Sequence, residues 1–165
     1  MGWRVGILMD LVAGDAREIL LAIGVDDWAG LRDRTRFPAY VSLGGGMDPA
    51  WLDLFAEAVR ESLGGDAPGP FSEAAYALES RLQTRLAGLG DRTIERVDRD
   101  WIDDVAFLAE DQMGRVAARW IDLIDAHLCE VEPEEKPTLR QLAGDLVEFC
   151  HMAEDAEDVL FAWSI

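Results

Sequence analysis

Short apolar segments stand at both ends of this chain, WRVGILM at 3–9 and VLFAWSI at 159–165, and most of what lies between has a helical hydrophobic period. Apolar runs of that length, rich in β-branched and aromatic residues, suit buried strands. A lone strand leaves its backbone groups unpaired, so two terminal strands are expected to share one small sheet. Two further strands are read between them. FPAYVSL at 37–43 tolerates Pro38 only near its start or on an edge, and TIERV at 93–97 reads as a short edge strand.

The helical stretches follow from side-chain spacing. Gly14 and Asp15 open a helix over about 15–23, with Ile19, Leu20 and Ile23 on one face, and DDWAGLRDR at 26–34 reads as a short helical turn. Asp48 as N-cap and Pro49 at the first helical position start a helix over 49–63, whose stripe includes Trp51, Leu52, Phe55 and Val59. After the loop GGDAPGP at 64–70, Ser72 is expected to cap a helix over 72–89 that Gly88 and Gly90 end. Asp98 starts a long helical region reaching about 128, with Gly114 as a candidate break. A second loop at 130–137 precedes a Thr138/Gln141 capping box and a helix to about 154. The expected architecture is α+β: a small sheet of three to four strands, both terminal strands included, packed with five to six helices. A chain of this length buries about 69% of its unfolded surface, enough for a single domain over 1–165 without staples.

Charge narrows the function classes. The sequence has 33 acidic and 15 basic residues, a net of −18, and 14 of the 15 basic residues are Arg, with Lys136 the exception. Nucleic-acid binders must match phosphates with cations, so that class is not expected. Half the residues are hydrophobic and six are Trp, which is unlike a disordered acidic tail. Two Cys do not make a disulfide scaffold, and no apolar run is long enough to span a membrane. Asp10 interrupts the first apolar run and Gly6 stands where a myristoylation signal needs Ser or Thr, so a cytoplasmic location is expected. The bias to Arg over Lys and to Ala and Gly suggests a bacterial source.

Catalytic patterns are lacking. His127, Cys129, Cys150 and His151 invite zinc, but in an antiparallel hairpin Cys150 would lie about 18 Å along the helix from His127. The same separation disfavours a Cys129–Cys150 disulfide. The glycine loop at 44–46 lacks the phosphate-binding patterns and carries Asp48 where an anion would sit. Neither G-x-S-x-G nor H-E-x-x-H occurs. Arg32, Arg34 and Arg36, diluted by Asp33, read as a surface loop. No catalytic residue, metal ligand or cofactor is therefore assigned.

What remains is acidic and aromatic. Asp100, Asp103, Asp104, Glu110 and Asp111 line one helical region, and Glu154, Asp155, Glu157 and Asp158 cluster before the last strand. Trp101 and Trp120 fall on the core stripe and Trp163 lies in the last strand, whereas Trp3, Trp28 and Trp51 belong to the first third and some could serve as binding anchors. The stretches VDRDWIDDVAFLAEDQMGRVAARWIDLI and LRQLAGDLVEFCHMAEDAEDVLFAWSI together resemble the C-terminal half of YfbM-like bacterial proteins, over about residues 93–165. That resemblance implies a run of helix, variable loop, helix, small turn and apolar end strand, and supplies no catalytic residue. GGGMDPAW in the first half departs from it.

The expected function is a non-enzymatic protein-binding module, such as an immunity-type neutraliser of a basic protein partner. Its binding residues would be Asp103, Asp104, Glu154, Asp155, Glu157, Asp158, Trp28 and Trp51, with salt-sensitive association. The alternative is a small metal-dependent hydrolase using helical carboxylates such as Glu154 and Glu157. No nucleic acid and no membrane is expected as partner, and the Trp content leaves a homodimer open.

Overall fold

The structure, a computed structural model, describes residues 8–44, 50–65, 71–74 and 92–164. By its internal contacts the chain divides into two compact units: a sheet unit of 1–47, 72–98 and 152–165, and a helical unit of 48–71 and 99–151. The fold class is α+β.

The sheet unit contains β1 (Leu8–Gly14), α1 (Ala16–Gly24), α2 (Trp28–Leu31), β2 (Ala39–Gly44), β3 (Ser72–Ala74), β4 (Arg92–Val97) and β5 (Asp158–Ser164). The five strands run in the order β2-β1-β5-β4-β3, and each neighbouring pair is antiparallel. The first and last strands do pair, along seven positions from Leu8–Ser164 to Gly14–Asp158. Alternation then sorts the side chains. Val12, Tyr40, Leu160, Ala162 and Ile94 take one face, where Ile19, Leu20 and Ile23 of α1, with Leu31 and Phe37, pack against them. Met9, Leu11, Ala13, Val159 and Phe161 point the other way and are also buried. Asp15 caps α1, its Oδ1 accepting from the N–H groups of Arg17 (3.0 Å) and Glu18 (3.1 Å). Gly14 turns the chain from β1 into that cap at φ +151°, and a Cβ there would meet the Phe37 ring at 3.0 Å.

The helical unit is built from α3 (Ala50–Leu63), α4 (Arg99–Ala106), α5 (Glu110–His127) and α6 (Lys136–Ala153), whose last two residues belong to the sheet unit. Aromatic rings form the centre of its core. Phe55 lies edge-on to Trp120 at 5.0 Å between centroids, and Trp101 lies edge-on to Phe71 at 4.8 Å. Both indoles reach α3 backbone: Trp120 Nε1 donates to the Trp51 carbonyl at 2.7 Å and Trp101 Nε1 to the Leu52 carbonyl at 3.3 Å.

Several expectations shift. The first strand is displaced towards the helix and runs through Asp10 instead of stopping before it; Trp3 and its neighbours up to residue 7 lie outside the described residues. The glycine loop beyond Gly44, with Asp48 and Pro49, also lies outside them. Ser72 is not a helix cap. It begins β3, which pairs with β4 and makes TIERV an inner strand instead of an edge. The rest of the expected 72–89 helix, from residue 75, lies outside the described residues. The helical region after Asp98 breaks at 107–109, not at Gly114, which sits inside α5 with open space around it. Helix α6 starts at Lys136, so Thr138 is internal, and Gln141 bonds Asp145 (3.0 Å) instead of closing a capping box.

Candidate functional site

The carboxylates singled out from sequence separate into two kinds. Asp103 is exposed on α4, while its neighbour Asp104 is half-buried in an ion pair with Arg60 of α3. Glu154, Asp155 and Glu157 are exposed in the turn leading to β5, while Asp158, at the start of that strand, faces Arg96 of β4 at 3.4 Å. Asp103, Asp104 and Trp51 belong to the helical unit, and Glu154, Asp155, Glu157, Asp158 and Trp28 to the sheet unit. Trp28 packs half-buried on the α1–sheet core, and Trp51 is half-buried. Among the described residues no three His, Cys, Asp or Glu side chains are grouped to hold a metal ion. Cys129 is an exposed thiol and Cys150 a buried one, with both His127 and His151 exposed.

Two features were missed at the level of sequence. The first is the connection between α5 and α6. From Asp122 to Glu135 the chain has six carboxylates and no Lys or Arg, and all six are exposed. Two of them hold the turn: Asp125 Oδ1 accepts from the Val131 N–H and Glu135 Oε2 from the Glu132 N–H, each at 2.9 Å. That leaves Glu130, Glu132 and Glu134 exposed in a shaped turn, with Asp122 exposed before it on α5, near Arg119. The signal was readable as a run of one sign, but it was divided between a helix end and a loop.

The second is Asp10. It is 4% exposed on β1, an inner strand of the sheet, and accepts a hydrogen bond from the Tyr40 hydroxyl at 2.8 Å. Arg32 lies over the Tyr40 ring at 5.7 Å, and Arg34 donates to the Tyr40 carbonyl at 3.3 Å. Burial raises the Tyr40 pKa, with the hydrogen bond and charge of Asp10 adding to the rise and Arg32 opposing it. Arg36 pairs with Asp27 at 2.9 Å, and the hydrogen bond from Arg36 followed by that from the Gly30 N–H holds the Asp27 carboxyl below its usual range. The arginine loop therefore ties down its own surroundings through Tyr40 and Asp27.

In the helical unit Arg119 grips Glu61 with both ends of its guanidinium, at 2.7 and 3.2 Å. That hydrogen bonding lowers the Glu61 pKa and raises that of Arg119. Both groups are open to solvent, so the pair adds little to stability. No family model matches this chain, and neither a curated protein nor a solved structure was found to be similar to it. No helix among the described residues is long and apolar enough to cross a membrane.

Proposed function

We propose that this chain is a non-enzymatic protein-binding module, a cytoplasmic bacterial protein of the immunity type that neutralises a basic partner through its helical unit. The observation that carries this reading is the partition of charge. The helical unit's sequence holds 18 acidic and 6 basic residues, a net of −12, whereas the sheet unit's holds 15 and 9, a net of −6. Two thirds of the chain's net negative charge thus falls on fewer than half of its residues. A field of one sign over one unit speeds encounter with a cationic surface and repels acidic competitors.

The test is affinity capture with the tagged full chain from lysate of its source, at about 0.1 M and about 1 M salt, where the Debye length is about 10 Å and about 3 Å. A basic protein held at low salt and released at high salt is expected. The variant Asp122→Asn/Glu130→Gln/Glu132→Gln/Glu134→Gln spares the two carboxylates that hold the turn. It should slow association with that partner about ten-fold, as lost electrostatic steering does. Retention that neither salt nor this variant changes would overturn the reading.

A further inference from the structure

Phe107 is the most exposed large apolar side chain among the described residues, at 78% of its surface. Its backbone is not loose. The Phe107 N–H donates to the Asp103 carbonyl at 3.0 Å and the Leu108 N–H to the Val105 carbonyl at 3.2 Å, closing α4. Just beyond, the Gln112 side chain accepts from the Ala109 N–H at 3.0 Å and donates to the Ser62 carbonyl of α3 at 3.5 Å. Val105, Ala106 and Leu108 on either side of Phe107 are buried. The chain therefore pins a short turn and leaves its one aromatic ring in water.

Charge says what would cover that ring. From Asp100 to Asp111 there are five carboxylates and no Lys or Arg. Asp104 is taken by Arg60, but Asp103, one helical turn before Phe107, and Glu110 and Asp111 at the start of α5 are exposed. Residues three and four apart on a helix lie over one another, so α4 presents Asp103 beside Phe107. The cations of the same stretch stand outside it, Arg99 before and Arg115 after. An acidic segment or a second copy of this unit would meet like charge here.

We propose that Phe107, with the exposed carboxylates of Asp103 one helical turn before it and of Glu110 and Asp111 at the start of the next helix, is the anchor point for a basic protein segment that presents an apolar side chain between Arg or Lys residues. This inference rests on the binding-module reading and locates its contact. The pinned turn presents the ring in one orientation, so docking loses little backbone freedom. An aromatic side chain that ends in a desolvated centre surrounded by charge has the layout of an interface hot spot.

The experiment uses the full chain and two synthetic amidated helical peptides of about 15 residues. Both are Arg-rich; one carries Leu at two central positions a turn apart, the other Ser. At about 0.1 M salt the native chain should bind the Leu peptide about ten-fold more tightly than the Ser peptide, the difference lying in dissociation rate. Phe107→Ala should equalise the two peptides at the weaker affinity, and Phe107→Leu should keep most of the preference. Asp103→Asn/Glu110→Gln/Asp111→Asn should weaken both peptides and flatten the salt dependence. Because Phe107 is exposed, its variants should keep the native far-ultraviolet circular dichroism. Salt-sensitive binding with no preference between the peptides, or a preference that survives Phe107→Ala, would overturn the anchor and leave the acidic-module reading standing. No binding of either peptide at low salt would overturn both.

Discussion

Replacing Trp120 with Phe tests how the helical unit is held together. The indole is fully buried, stands edge-on to Phe55, and its Nε1 donates at 2.7 Å to the Trp51 carbonyl. That carbonyl belongs to the first turn of α3 and by the helical pattern also serves the Phe55 N–H, so it would not be left wholly unpaired. Loss of the indole bond then costs about 1 kcal/mol. The missing part of the ring leaves a cavity worth about 1–2 kcal/mol more, a fraction of the full aromatic-to-Ala penalty. The sum, about 2–3 kcal/mol, lowers the urea midpoint by about 1–1.5 M at a slope of about 2 kcal/mol/M. Trp101→Phe is the internal comparison, because its bond to the Leu52 carbonyl is longer, 3.3 Å. It should cost less. Both are followed by circular dichroism at 222 nm, each variant's midpoint being read from its own folded and unfolded baselines. A Trp101 variant as destabilised as the Trp120 variant, or a Trp120 midpoint shift under about 0.3 M, would refute the reasoning, since packing and the short bond would then not set stability here.

Other perturbations test separate parts of the structure. Gly114→Ala fills open space inside α5 and should stabilise the chain by about 0.5–1 kcal/mol, raising the melting temperature by about 1–4 °C in calorimetry. Asp10→Asn removes the negative charge facing Tyr40 and should bring the Tyr40 pKa down towards the ordinary tyrosine value, read by alkaline titration of tyrosinate absorbance; an unchanged curve would refute the role given to Asp10. Glu61 has a lowered pKa, so its contribution is present above the ordinary carboxylate range and is lost as pH falls through the lowered value. Glu61→Gln should therefore lower the urea midpoint slightly near pH 7, with the gap to the native chain closing below about pH 4.

Periodicity made much of the fold legible. The stripe through Leu52, Phe55 and Val59 marks α3, the Asp15 cap marks α1, and the closing apolar run is β5, because these signals are local and nothing distant contradicts them. What failed was punctuation. Ser72 has the chemistry of a helix cap, yet it begins β3, because β4 offers it a pairing partner. Gly114 reads as a breaker, yet the helix ends at 107–109, where the buried pattern of Val105, Ala106 and Leu108 turns and leaves Phe107 outside. Asp10 read as an interruption in an apolar run, since in isolation a buried carboxylate on a strand is unfavourable. Tyr40, thirty residues away, makes it tolerable.

The candidate site divides in the same way. Sequence alone determined the α+β class, the sharing of one sheet by the first and last strands, the net charge of −18 and the want of a recognisable catalytic pattern, because composition and period are properties of the chain itself. Only the tertiary structure decided which carboxylates are engaged and which face water. Asp104 and Asp158 are held by Arg60 and Arg96, and Asp125 and Glu135 by backbone N–H groups, whereas Asp103, Glu130, Glu132 and Glu134 face water. The physical reason is that an ion pair depends on a partner brought near by folding, 44 residues away for Asp104 and 62 for Asp158. Sequence spacing records a helical face; it does not record which arginine another element carries to it.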